Sequence, residues 1–148
     1  FKIQPTASLS HYWKRSQLGR TLAMLDWNRD GKVDLLANHL DQPLALLQNE
    51  SDSGNWLQVE LVGTTSEREA IGARIEVESG DQRWVGWQIA GDGYMCTNES
   101  LIHLGLGRHG VIDKLTVHWP ATDPQVFEQV SVNQRYLLVE GQDSVVPR

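Results

Sequence analysis

Short runs in which apolar and polar residues alternate recur about every ten residues, and helix-period apolar patterning is nearly absent. Leu57, Val59 and Leu61 point one way while Gln58 and Glu60 point the other. Ile75 and Val77 alternate with Arg74, Glu76 and Glu78, and Ser79-Gly80-Asp81 then turns the chain into Val85, Trp87 and Ile89. A short glycine-containing turn between two period-two runs reads as a hairpin. Further strands are expected over 102–106, 115–119 before Pro120, 125–130 and 136–139. The pattern predicts an all-β fold, with a β-sandwich of about seven to eight short strands over 54–142 and a tail over 143–148. A segment over 9–18, ended by Gly19, is the competing helical candidate.

A chain of 148 residues buries enough surface to form a core without disulfides or a structural zinc. Its one cysteine, Cys96, cannot form an internal bridge or supply a cysteine-rich metal cluster. Thirteen Lys and Arg against nineteen Asp and Glu give a net charge of −6, and no basic run is longer than Lys14-Arg15. Nucleic acid is excluded as a partner on this balance, because phosphate backbones are held by concentrated positive charge. No apolar run approaches the roughly twenty residues that a membrane helix needs, so membrane insertion is not expected. The first residue is Phe1, which reads as a cut or processed start.

Before residue 54 the character changes. Residues 21–25 are apolar, 26–34 are dense in Asp, Asn and Gly, and 33–37 and 44–47 are apolar again, with Ser51-Asp52-Ser53-Gly54 as a linker. The acidic segment Asp26-Trp27-Asn28-Arg29-Asp30-Gly31-Lys32-Val33-Asp34 has the form D-x-N-x-D-G-x-x-D. Calcium takes six to eight oxygens at about 2.3–2.6 Å, and alternate oxygen-bearing side chains on a tight loop supply them. Asp26, Asn28, Asp30 and Asp34 would offer side-chain oxygens and Lys32 its backbone carbonyl, with Gly31 at the sharp turn. An EF-hand needs a Glu at the twelfth loop position and flanking helices; the twelfth residue here is Ala37 and the flanks read as strands. Calcium fits better than magnesium, which keeps its waters and insists on octahedral geometry.

The stretch from Gly19 to Leu36, continuing to Leu46-Leu47-Gln48-Asn49, resembles one FG-GAP (VCBS-type) repeat. That resemblance implies part of a blade of an integrin-like β-propeller, with calcium held in the acidic loop. The chain from Asn55 onward resembles the ASPIC/UnbV domain. The residues that carry this second resemblance are Asn55-Trp56-Leu57 with Leu61-Val62-Gly63, then Ile71-Gly72-Ala73-Arg74, Gly93-Tyr94, His103-Leu104-Gly105-Leu106-Gly107 and Val117-His118-Trp119-Pro120. Residues 1–53 are thus expected to be a propeller fragment capping the sandwich, since one repeat cannot cover its own apolar faces. Met95-Cys96 and Ala121-Thr122-Asp123 depart from the family's usual steps at their positions.

Gly91-Asp92-Gly93-Tyr94 offers an acceptor and a stacking ring, and Asp92, Tyr94 and Asn98 are candidate ligand-binding residues. The plainer reading is a glycine bend with Tyr94 in the core. Cys96, His103 and Asp92 form a catalytic group only if the fold brings them together. Trp56, Trp87 and Trp119 read as core, and Trp27 as the one of the six tryptophans expected to be exposed or to pack on a neighbouring blade. Asn49-Glu50-Ser51 and Asn98-Glu99-Ser100 satisfy the glycosylation sequon. The expected function is non-enzymatic: a calcium-binding protein-interaction module, extracellular, cell-surface or periplasmic, at the C-terminal part of a larger propeller protein. The alternative is a carbohydrate-binding accessory domain of a surface or secreted enzyme.

Overall fold

The computed structural model describes residues 11–128 and 130–148. One 3-10 turn, His11–Lys14, precedes eleven strands: β1 Gly19–Leu25, β2 Asp34–His39, β3 Ala45–Leu47, β4 Asn55–Val62, β5 Arg74–Ser79, β6 Gln82–Trp87, β7 Ile102–Gly107, β8 Lys114–His118, β9 Gln125–Phe127, β10 Gln134–Val139 and β11 Val146–Pro147. The helical candidate over 9–18 begins outside the described residues, and its described part holds only that single turn.

The strands form three sheets. β1-β2-β3 is an antiparallel meander, and the other eight strands make two four-stranded sheets ordered β11-β10-β4-β7 and β6-β5-β8-β9. The period-two runs account for the two larger sheets: Leu57, Val59 and Leu61 of β4 share one core with Ile75 and Val77 of β5 and Leu115 and Val117 of β8, which Ile102, Leu104, Leu106, Tyr136 and Leu138 complete. Burying each such side chain stabilises the fold by about 1.5–3 kcal/mol before entropy is counted. Within its sheet β10 runs parallel to β4, with Gln134 opposite Leu57. The last six residues, expected as a tail, add β11 to the edge of β10.

One strand presents the opposite face from the expected one. Val85, Trp87 and Ile89 are exposed, and Trp84 packs on the core instead. Both faces of β6 carry an aromatic ring, so alternation alone does not choose between them. The choice comes from Gly86, which lies so close to Ile102 that any Cβ there would overlap it. Trp87 is therefore not core, whereas Trp119 is, and Trp27 is 65 % exposed.

Glu140 pins the far end of the sandwich. Its buried carboxylate accepts from the backbone N–H groups of Thr64, Thr65 and Ser66 and from the hydroxyls of Ser66 and Thr122, all at 2.7–2.8 Å. Burial would raise this carboxyl, but the Thr122 hydroxyl and the Ser66 and Thr64 groups together outweigh it and hold its pKa at about 2.

Candidate functional site

The acidic loop joins β1 to β2, and its carboxylates fold it. Asp26 accepts from the N–H of Asp30 at 3.1 Å and of Gly31 at 2.8 Å, and Asp30 accepts from the N–H of Lys32 at 2.9 Å. The Asn28 amide donates to Asp30 at 2.9 Å while its oxygen accepts from the Asp30 N–H at 3.2 Å. Gly31 sits at φ +82°, where a side chain is strained. The Asn28 amide and then the Lys32 N–H hold the Asp30 carboxyl below its ordinary range, and the Lys32 ammonium stands 3.6 Å away.

Asp34 has a different job. It is 1 % exposed at the start of β2, and its two oxygens accept from the backbone N–H of Trp27 at 3.0 Å and of Asn49 at 2.7 Å, tying the loop to the end of β3. Hydrogen bonds thus link Asp26, Asn28, Asp30 and Lys32 to one another, while Asp34 is joined to the Trp27 and Asn49 backbones. Among the described residues no three Asp, Glu, His or Cys side chains converge as a metal cluster. The donor set is nonetheless of the kind calcium takes: hard oxygens on alternate residues of one loop, with lone pairs left on each carboxylate.

Three residues that the loop's own sequence does not reveal hold it against the sandwich. Gln58 of β4, 3 % exposed, donates to Asp26 at 2.7 Å. Trp56 covers Gly31 so closely that a Cβ at position 31 would overlap the indole. His103 of β7 lies tilted against Trp56 with ring centroids 6.4 Å apart. Burial holds His103 below its ordinary pKa, partly offset by the Asp26 charge and a bond to the Gly31 backbone. In the sequence, Gln58 reads only as the polar side of β4.

Residues 63–145 match the family model described as ASPIC and UnbV. The chain belongs to the ASPIC and UnbV family. Two curated relatives of this ASPIC/UnbV chain carry the name Cartilage acidic protein 1. The one from Mus musculus is 33 % identical over 102 residues, 64 % of this chain and 15 % of the relative. The one from Xenopus tropicalis is 31 % identical over 112 residues, 71 % of this chain and 16 % of the relative. The chain therefore spans about one sixth of the length of these relatives.

In this ASPIC/UnbV chain the second candidate group, Asp92, Tyr94 and Asn98, lies in the loop between β6 and β7. Asn98 donates to Asp92 at 2.8 Å and accepts from the Met24 N–H on the open edge of β1 at 2.8 Å. Tyr94 is 68 % exposed rather than core, so the plainer reading of the glycine bend fails for that side chain. Asp92 and Asn98 line one groove with Trp87, while Tyr94 lines an adjoining shallow cleft with Tyr12 and His39, which Asp92 also borders. The catalytic group does not assemble: Cys96 donates to the Leu22 carbonyl at 3.4 Å, Asp92 is engaged by Asn98, and His103 packs on Trp56. Both sequon asparagines use their side chains inside the fold, Asn49 on Val33 and Ser51, Asn98 on Asp92 and Met24. Among the described residues no helix is long and apolar enough to cross a membrane.

Proposed function

We propose that this chain is a non-enzymatic, calcium-stabilised interaction module of an extracellular, cell-surface or periplasmic protein, with the β1-β2-β3 meander as an FG-GAP/VCBS-type propeller element. The observation that carries the reading is the seat of the acidic loop: Asp26 is hydrogen-bonded to Gln58 of the sandwich at 2.7 Å, and Gly31 lies beneath Trp56. A loop that concentrates carboxylates at the joint between two β-units strains that joint unless a cation neutralises it. Asp26, Asn28 and Asp30 with the Lys32 carbonyl would hold calcium, and Asp34 would reach it through its remaining lone pairs. The ion's work is to cross-link the loop. Extracellular calcium modules bind at about 0.1–1 mM, the range suited to such a role.

The test is terbium luminescence. Trp27 lies within the loop, so bound terbium would emit on tryptophan excitation, calcium would displace it saturably, and Asp30→Ala would abolish the signal. Emission that calcium does not displace, or that survives in the variant, contradicts the reading.

A second reading, a carbohydrate-binding accessory domain, is favoured by one observation: exposed Trp87 shares a groove with Asp92 and Asn98.

A further inference from the structure

The sandwich carries a groove along one side. Among the described residues β6 is an edge strand paired only with β5, and the groove, about 250 Å³, runs between it and the segment that leads into β7. Trp87, Gln88, Asp92, Asn98, Ser100 and Glu69 line it. Trp87 is 57 % exposed, with the Arg74 guanidinium 5.7 Å from the ring centre.

Gln88 is the more telling residue. It is only 3 % exposed and it lines the groove. An amide that opens on a groove offers a ligand both a donor and an acceptor. The groove is where a partner can reach it.

The lining also selects by charge. Glu69, Asp92 and Glu99 contribute carboxylates, Glu99 is paired with Arg135, and no Lys or Arg lines the groove. The Arg74 guanidinium beside Trp87 is paired with Glu76, so the carboxylates of the lining disfavour phosphate, sulfate and uronate groups, whereas hydroxyls donate to carboxylates and both donate to and accept from amides. A space this small, below the roughly 300–1,000 Å³ of a drug-sized site, suits one ring with an apolar C–H face and a hydroxyl rim.

We propose that this groove binds a neutral carbohydrate, with one sugar ring stacked on Trp87 and its hydroxyls hydrogen-bonded to the Gln88 amide and the Asp92 carboxylate. The proposal rests on the carbohydrate reading, names the chemistry of its ligand, moves its stacking ring from Tyr94 to Trp87, and does not need the metal. An extended peptide added to the β6 edge would instead be held by backbone bonds and would be indifferent to Gln88.

The test probes an array of neutral and acidic oligosaccharides with the full chain and with Trp87→Ala, Gln88→Ala and Tyr94→Ala, whose melting is checked first. The expected result is retention of neutral glycans, weakened about tenfold or more by Trp87→Ala, weakened by Gln88→Ala and unchanged by Tyr94→Ala. No neutral glycan held above the level of Trp87→Ala, a preference for acidic glycans, or loss through Tyr94→Ala alone overturns it. Repeating the array with chelator separates the two readings: absent sugar binding with an intact calcium response overturns this proposal alone. Sugar binding without a calcium response supports it and counts against the metal.

Discussion

Trp56, on the first strand of the sandwich, lies directly over Gly31 of the acidic loop, leaving no room for a Cβ at position 31. The loop glycine therefore meets two demands at once, a positive φ and the close approach of an indole from another sheet. Gly31→Ala is expected to destabilise the chain by about 2–4 kcal/mol in urea unfolding, backbone strain and overpacking combined. Adding Trp56→Ala should recover only the overpacking share, so the pair should be non-additive. A loss below about 1 kcal/mol for Gly31→Ala would contradict the contact.

Gln58→Leu keeps the bulk at position 58 and removes the donor to Asp26, whose oxygen is 2.7 Å away. A hydrogen bond to a charged group contributes about 1.5–3 kcal/mol, and a loss of that size is expected in the same assay. An unchanged midpoint would mean that the loop is not anchored through this bond.

The face of β4 that meets the core is legible in the sequence because Leu57, Val59 and Leu61 alternate with polar residues, and the same holds for β5, β7 and β8. The face of β6 is not, since Trp84 and Trp87 make both faces aromatic and the decision rests on Gly86 against Ile102, a contact between strands of different sheets. The acidic loop is legible as a D-x-N-x-D-G segment because its residues are sequence neighbours. Its seat is hidden, because Gln58 lies thirty-two positions from Asp26, and His103 farther still. The exposure of Tyr94 is hidden for a related reason: the turn made by Gly91 and Gly93 is local, while the side chain's surroundings depend on how β1 and β2 pack beside it.

Acid stability should follow Glu140. Its folded pKa, about 2, lies below the ordinary 4.5, so its contribution is complete above about pH 4.5 and is lost as pH falls toward 2. The full difference corresponds to somewhat over about 3 kcal/mol. Glu140→Gln should lose about that much at pH 7 and show a flatter stability curve between pH 4.5 and 2. Parallel curves for the two proteins would contradict the assignment.

Asn98 ties the β6–β7 loop to β1 through the Met24 N–H at 2.8 Å. In Asn98→Ala that amide loses its acceptor, and its hydrogen exchange should accelerate while core amides such as that of Val77 do not change. Equal acceleration at both positions would point to global loosening, and no change at Met24 would remove the tie.

Calorimetric titration of chelator-treated protein with calcium, with melting followed beside Asp30→Ala, tests whether the acidic loop at the joint binds the ion. One saturable site is expected and, at about 10 mM calcium with a dissociation constant of about 0.1–1 mM, a stabilisation of roughly 1.4–2.7 kcal/mol that the variant lacks. No heat and no melting shift in the intact chain, or an equal shift in the variant, would contradict it.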